Sequence, residues 1–175
     1  VFVLGEVSKP GGYSLSSLST MLHALYLSGG PTVNGSLRTI NLLRDNKVIA
    51  QLDFYDYAIK GNKTNDVRLQ DGDILFVPPA QKRVAIVGAV IRPAIYELKE
   101  KEQLSDLLSF TGGIQVNAYT ERVHIERLVP YNQRQQLKKD ILDLDLPFQS
   151  VNDLLKSSFY MEDGDIVSIF SITNY

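Results

Sequence analysis

Few residues in this chain could do chemistry. They are the histidines His23 and His124, the acidic turns Asp71-Gly72-Asp73 and Asp163-Gly164-Asp165, and the arginines Arg38, Arg44, Arg68, Arg122 and Arg127. Acid–base or nucleophilic catalysis needs a nucleophile, a base and a group that orients the base. Neither histidine has a serine or carboxylate at a recurring spacing, so the expected function is not enzymatic. The aspartate pairs could seat a hard cation, which wants several oxygen ligands. No further regularly spaced acids follow them, and aspartates flanking a glycine before an apolar run read better as tight turns stabilised by side-chain bonds to the local backbone. No metal or other cofactor is expected. The glycine pairs Gly29-Gly30 and Gly112-Gly113 follow a helical pattern instead of preceding one, which makes them helix stops and not phosphate cradles. Tyr13 and Tyr96 could stack on sugar rings or pack on their own hairpin. The five arginines could grip an acidic glycan through bidentate bonds, and surface or intersubunit pairing explains them as well. Together with the two tyrosines they are the candidate glycan or subunit contacts.

The elements that must position these residues come in duplicate. Gly5 and Gly88 stand 83 residues apart, and the same spacing carries Val1 to Val84, Val3 to Ile86, Pro10 to Pro93 and Tyr13 to Tyr96. It continues through Leu25 to Leu108, Gly29-Gly30 to Gly112-Gly113 and Arg44 to Arg127. Beyond that the register slips, with Leu52-Asp53 set against Leu142-Asp143 and Asp71-Gly72-Asp73 against Asp163-Gly164-Asp165. The second copy therefore carries roughly nine extra residues, placed mainly in the polar stretch 132–139 and read as a lengthened hairpin loop within 129–146.

Within each copy, alternation at Val1, Val3 and Val7 gives a strand, with Gly5 marking a bulge or close backbone approach. Pro10-Gly11-Gly12 turns the chain into a second short strand. Leu18, Met21, Leu22 and Leu25 recur at helical spacing, as do Leu104, Leu107, Leu108 and Thr111, so each copy has one main amphipathic helix. A hairpin follows, turning at Asp45-Asn46-Lys47 and returning over 48–54, and Ile74 to Val77 is a last strand. The expected fold is α+β: two tandem β-grasp units, 1–78 and 83–171, each a small mixed sheet carrying one main helix. Pro78 to Arg83 forms a linker too short to let them separate freely.

The bulk numbers agree with a folded binding module. Hydrophobic residues make up 44% and charged residues 22%, enough for a core. The net charge is −2 with no basic block, which argues against nucleic acid. Cysteine is absent, so neither disulfides nor thiolate sites are available. No apolar run approaches the roughly 20 residues of a membrane span. The chain opens inside a strand, which is expected of an excerpt from a longer protein.

Three stretches carry a family resemblance: Val3-Leu-Gly-Glu-Val-Ser-Lys-Pro-Gly-Gly-Tyr13, Leu27-Ser-Gly-Gly30 and Leu69-Gln-Asp-Gly-Asp-Ile-Leu-Phe-Val-Pro-Pro79. They recur in order around Gly88, Gly112 and Gly164, with Ala94 in place of the glycine after Pro93 and no closing proline pair. The set resembles the soluble-ligand-binding β-grasp (SLBB) domain, and the tandem resembles the periplasmic part of bacterial outer-membrane polysaccharide export proteins. That resemblance implies Gly5, Pro10, Gly29, Gly30, Asp71, Gly72, Asp73, Gly88, Pro93, Gly112, Gly113, Asp163, Gly164 and Asp165 as structural motif positions. It also implies ring assembly with other copies around a path for capsule or exopolysaccharide, and an inner-membrane polysaccharide co-polymerase as partner. A monomeric β-grasp receptor for a small soluble ligand or glycan is the alternative.

Overall fold

The computed structural model describes residues 1–172. The chain divides into two compact units, Val1–Gln81 and Lys82–Tyr175. The first unit contains β1 (Phe2–Gly5), β2 (Gly11–Gly12), α1 (Met21–Leu27), β3 (Ile40–Arg44), β4 (Lys47–Leu52), α2 (Phe54–Ala58) and β5 (Ile74–Val77). The second repeats that order as β6 (Lys82–Gly88), β7 (Ala94–Leu98), α3 (Leu104–Phe110), β8 (Arg122–Leu128), β9 (Ile141–Pro147), α5 (Val151–Leu155) and β10 (Ile166–Ile169), with an added helix α4 (Tyr131–Leu137).

The described strands form two five-stranded sheets, ordered β2-β1-β5-β3-β4 and β7-β6-β10-β8-β9. In each, the first and last strands of the unit lie side by side in parallel and every other pairing is antiparallel. Two hairpins therefore flank a parallel pair, and the helix after the first hairpin covers one face. This is the mixed α+β arrangement of the β-grasp. Alternation sets the faces: Val3, Leu75, Val77, Ile40 and Leu42 point to the helix and are at most 0% exposed. Met21, Leu22, Ala24 and Leu25 of α1 meet them, as Leu104, Leu107 and Leu108 of α3 meet Ile86, Ile125 and Val167.

Both helices start on a reciprocal cap. The Thr20 N–H donates to His23 Nδ1 at 3.1 Å, and the Gln103 N–H donates to Asp106 Oδ2 at 2.9 Å. His23 thus serves the helix start. Leu18 precedes this cap and is 66% exposed, so it is not part of the buried stripe that its spacing implies. Thr111 likewise is the C-cap of α3.

Three sequence expectations are corrected. Each unit has a second, five-residue helix, α2 or α5, too short to show a periodicity; Asp53 and Ser150 cap them through side-chain bonds from Tyr55 N–H and Asp153 N–H. Phe54 therefore starts α2 instead of ending a strand. The extra stretch of the second unit is not a plain loop, because 131–137 coil into α4 between strands of seven residues each. Finally, Ile40 pairs with Leu52 and its counterpart Val123 pairs with Leu146, so Leu146, and not Leu142, stands where Leu52 does. Of the residues read as a linker, Pro78 and Ala80 are tied down within the first unit, with Ser36 N–H donating to the Pro78 carbonyl and Ala80 N–H to the Asn34 carbonyl, both at 2.8 Å, and Lys82 and Arg83 open β6.

Candidate functional site

The acidic turns and two of the arginines meet. Asp73 and Asp165 close their turns by accepting the N–H of Gln70 at 2.7 Å and of Glu162 at 2.8 Å, and both side chains are fully buried. A buried carboxylate needs a cation. Arg44 supplies it bidentately, Nε to Oδ1 at 2.7 Å and Nη2 to Oδ2 at 2.8 Å. Arg127 does the same for Asp165 at 2.9 and 2.7 Å, and adds Glu162 and the Tyr160 carbonyl. The bond from Arg44 holds the Asp73 carboxyl below its ordinary value despite desolvation, and the same bonds raise Arg44 and Arg127. Each pair ties the end of the first hairpin strand, β3 or β8, to the turn that enters the last strand. Of the outer aspartates, Asp163 accepts the Arg83 N–H at 2.7 Å, and Asp71 is exposed.

The tyrosines form an equivalent pair of latches. The Tyr13 hydroxyl donates to the Lys9 carbonyl at 2.5 Å and the Tyr96 hydroxyl to the Arg92 carbonyl at 2.9 Å, closing the turns that contain Pro10 and Pro93. Arg38 is buried, its Nε shared by both oxygens of Asp53 at 2.9 and 3.0 Å, with the guanidinium over the Tyr55 ring at 4.5 Å. Arg122 lies on the outer face of β8, 3.8 Å from Asp145 and over the Phe170 ring at 5.5 Å. Arg68 is exposed at a bridge with Thr20. The structure does not gather the five arginines and two tyrosines into one surface within either unit.

Gly5 and Gly88 have the most demanding positions. Both have φ near +88°, and a Cβ on either would fall 2.1 Å from the carbonyl oxygen of Val77 or Ile169 in the parallel neighbour. That carbonyl accepts the next N–H, from Glu6 at 2.8 Å or Ala89 at 2.7 Å. Gly29-Gly30 and Gly112-Gly113 lie past α1 and α3, where Gly30 and Gly113 donate to the Leu25 and Leu108 carbonyls. Gly72 and Gly164 turn the acidic loops at φ +81° and +84°.

The exposed features are sheet faces, edges and open clefts. On the outer face of the first sheet, Phe2, Leu4 and Phe76 on the adjacent strands β1 and β5 are 51%, 39% and 38% exposed, and Val48 on β4, beyond β3, is 58% exposed. A solvated sheet face is normally polar, and this one carries apolar side chains instead. Sequence reasoning assigned it no role, although Phe2, Leu4 and Phe76 are the outward half of the alternation that identified β1 and β5. The largest cleft described, about 630 Å³, opens beside Val1, Tyr13, Leu15 and Leu69. In the second unit Lys82 and Arg83, just before the counterpart of Val1, pair with Leu98 and Glu97. His124 accepts or donates at Asp145 at 3.0 Å, but among the described residues no group of three or more His, Asp or Glu side chains is set to hold a metal ion.

Two β-grasp units with duplicated anchors make up this chain. The SLBB domain pattern matches residues 1–77 and again 83–137. The chain belongs to the SLBB domain family. It is also similar to two Escherichia coli sequences, each named polysialic acid transport protein KpsD, at 31% identity over 101 residues. That match covers 57% of this chain and 18% of the relative, so the chain corresponds to a small part of the proteins it resembles.

Proposed function

We propose that this tandem is a periplasmic, non-enzymatic assembly module of an outer-membrane polysaccharide exporter, making ring contacts with other copies around the export path. The observation that carries this reading is the apolar outer face of the first sheet. Phe2, Leu4, Phe76 and Val48 are large side chains left in water on a unit whose core is otherwise filled. The relatives are polysialic acid transport proteins, which supplies the class of cargo. None of the described helices is long and apolar enough to cross a membrane, so membrane association would belong to other parts of such an exporter. The receptor alternative would use the open cleft beside Tyr13, Leu15 and Leu69. Phe2 and Phe76 are about half exposed, so serine at both should cost about 1 to 2 kcal/mol of stability. In the full-length protein the double variant Phe2→Ser/Phe76→Ser should abolish surface polysaccharide in the producing bacterium while the protein accumulates normally. Wild-type levels of surface polysaccharide would overturn the reading.

A further inference from the structure

Strand β9 is a sheet edge of unusual regularity in this chain. Its register with β8 runs unbroken from Arg122↔Pro147 to Leu128↔Ile141. The Val129 N–H donates to the Asp140 carbonyl at 2.9 Å and the Phe148 N–H to the Glu121 carbonyl at 2.8 Å, which fixes the phase of the ladder. In an antiparallel pair the bonded positions alternate. Leu142, Leu144 and Leu146 therefore bond to β8, and the backbone of Ile141, Asp143 and Asp145 faces away from it. Pro147, which has no N–H to offer, ends the row. Unpaired edges of this kind template the addition of another strand.

The side chains say what that strand would be. On one face, Asp143 and Asp145 are 73% and 52% exposed even though His124 and Arg122 approach them. On the other, Leu142, Leu144 and Leu146 are only half-buried. Next to Leu146 an open cleft of about 450 Å³ is lined by Phe148 and Phe159. An added strand would set alternate residues beside the aspartates and the others over the leucines.

The chain's own edges do not meet this specification. Pairing β9 with itself sets acids against acids, and β7 carries no lysine or arginine. The edge strand β4 is interrupted by a bulge at Ile49, and β2 has only two residues. We propose that β9 is a docking edge for an extended segment of a different protein that alternates apolar residues with lysine or arginine. This inference is independent of the ring reading.

The test uses the 15N-labelled two-unit chain titrated with blocked octapeptides, one alternating lysine and valine and one alternating glutamate and valine. The lysine peptide should shift the amides of Ile141, Asp143 and Asp145 and bind at least about tenfold more tightly than the glutamate peptide. The exposed double variant Asp143→Lys/Asp145→Lys should reverse that order. Asp143→Pro, which removes one outward N–H without touching the β8 ladder, should weaken both peptides. The proposal is overturned if binding does not saturate, if the shifted amides lie elsewhere, if the two peptides bind equally, or if the chain dimerises through β9.

Discussion

Replacing Gly88 with alanine should destabilise the second unit by about 3 kcal/mol or more. The Ile169 carbonyl oxygen would lie 2.1 Å from the new Cβ, and φ of +88° is one that L side chains rarely adopt. Neither problem can be relieved locally, because that carbonyl bonds the Ala89 N–H at 2.7 Å and belongs to the parallel pair that joins the two hairpins. Calorimetry should show the melting temperature of this unit falling by more than about 10 °C. A shift of under roughly 2 °C would mean that β6 and β10 part without consequence, and that the glycine shared with Gly5 has some other use.

Asp165→Ala is the second large effect, at about 3 kcal/mol. The substitution removes the two carboxylate oxygens that Arg127 bonds and the acceptor of the Glu162 N–H, in a side chain with no solvent exposure. Arg127, itself 14% exposed, is left with Glu162 and the Tyr160 carbonyl. Asp165→Asn keeps the size and one acceptor and should cost less, about 1 to 2 kcal/mol. A double-mutant cycle with Arg127→Met separates the pair from the turn: coupling of about 2 kcal/mol is expected, and coupling near zero would show that the aspartate acts only on its own backbone.

The sequence made the repeat legible because matched glycines, prolines and apolar alternation survive at a constant spacing through the first half of each unit. The strand order and the main helices follow from those periods. Where the reading failed, the signal was too short or ambiguous. Helices α2 and α5 span five residues, less than two turns, so propensity and capping had to be read without periodicity. Leu-Asp occurs twice in Ile141–Pro147, yet the residue in the place of Leu52 is Leu146, which precedes Pro147; pairing register is invisible without the partner strand, and the dipeptide match draws the alignment to Leu142-Asp143. Arg44 and Asp73, and Arg127 and Asp165, were each picked out separately. Their pairing spans a turn and a change of strand, and the only sequence trace of it is that both members recur in both copies. The apolar outer face was visible as Phe2, Leu4 and Phe76, but alternation alone does not say that the second set stays uncovered.

The claim that this tandem serves assembly is tested most directly by mass photometry of the full-length protein, with electron microscopy of the same particles. A closed ring of several copies at nanomolar to micromolar concentration is the predicted result, with Phe2→Ser/Phe76→Ser shifting the population toward single copies. A monodisperse monomer across that range, unchanged by the double variant, would contradict the account and favour a receptor.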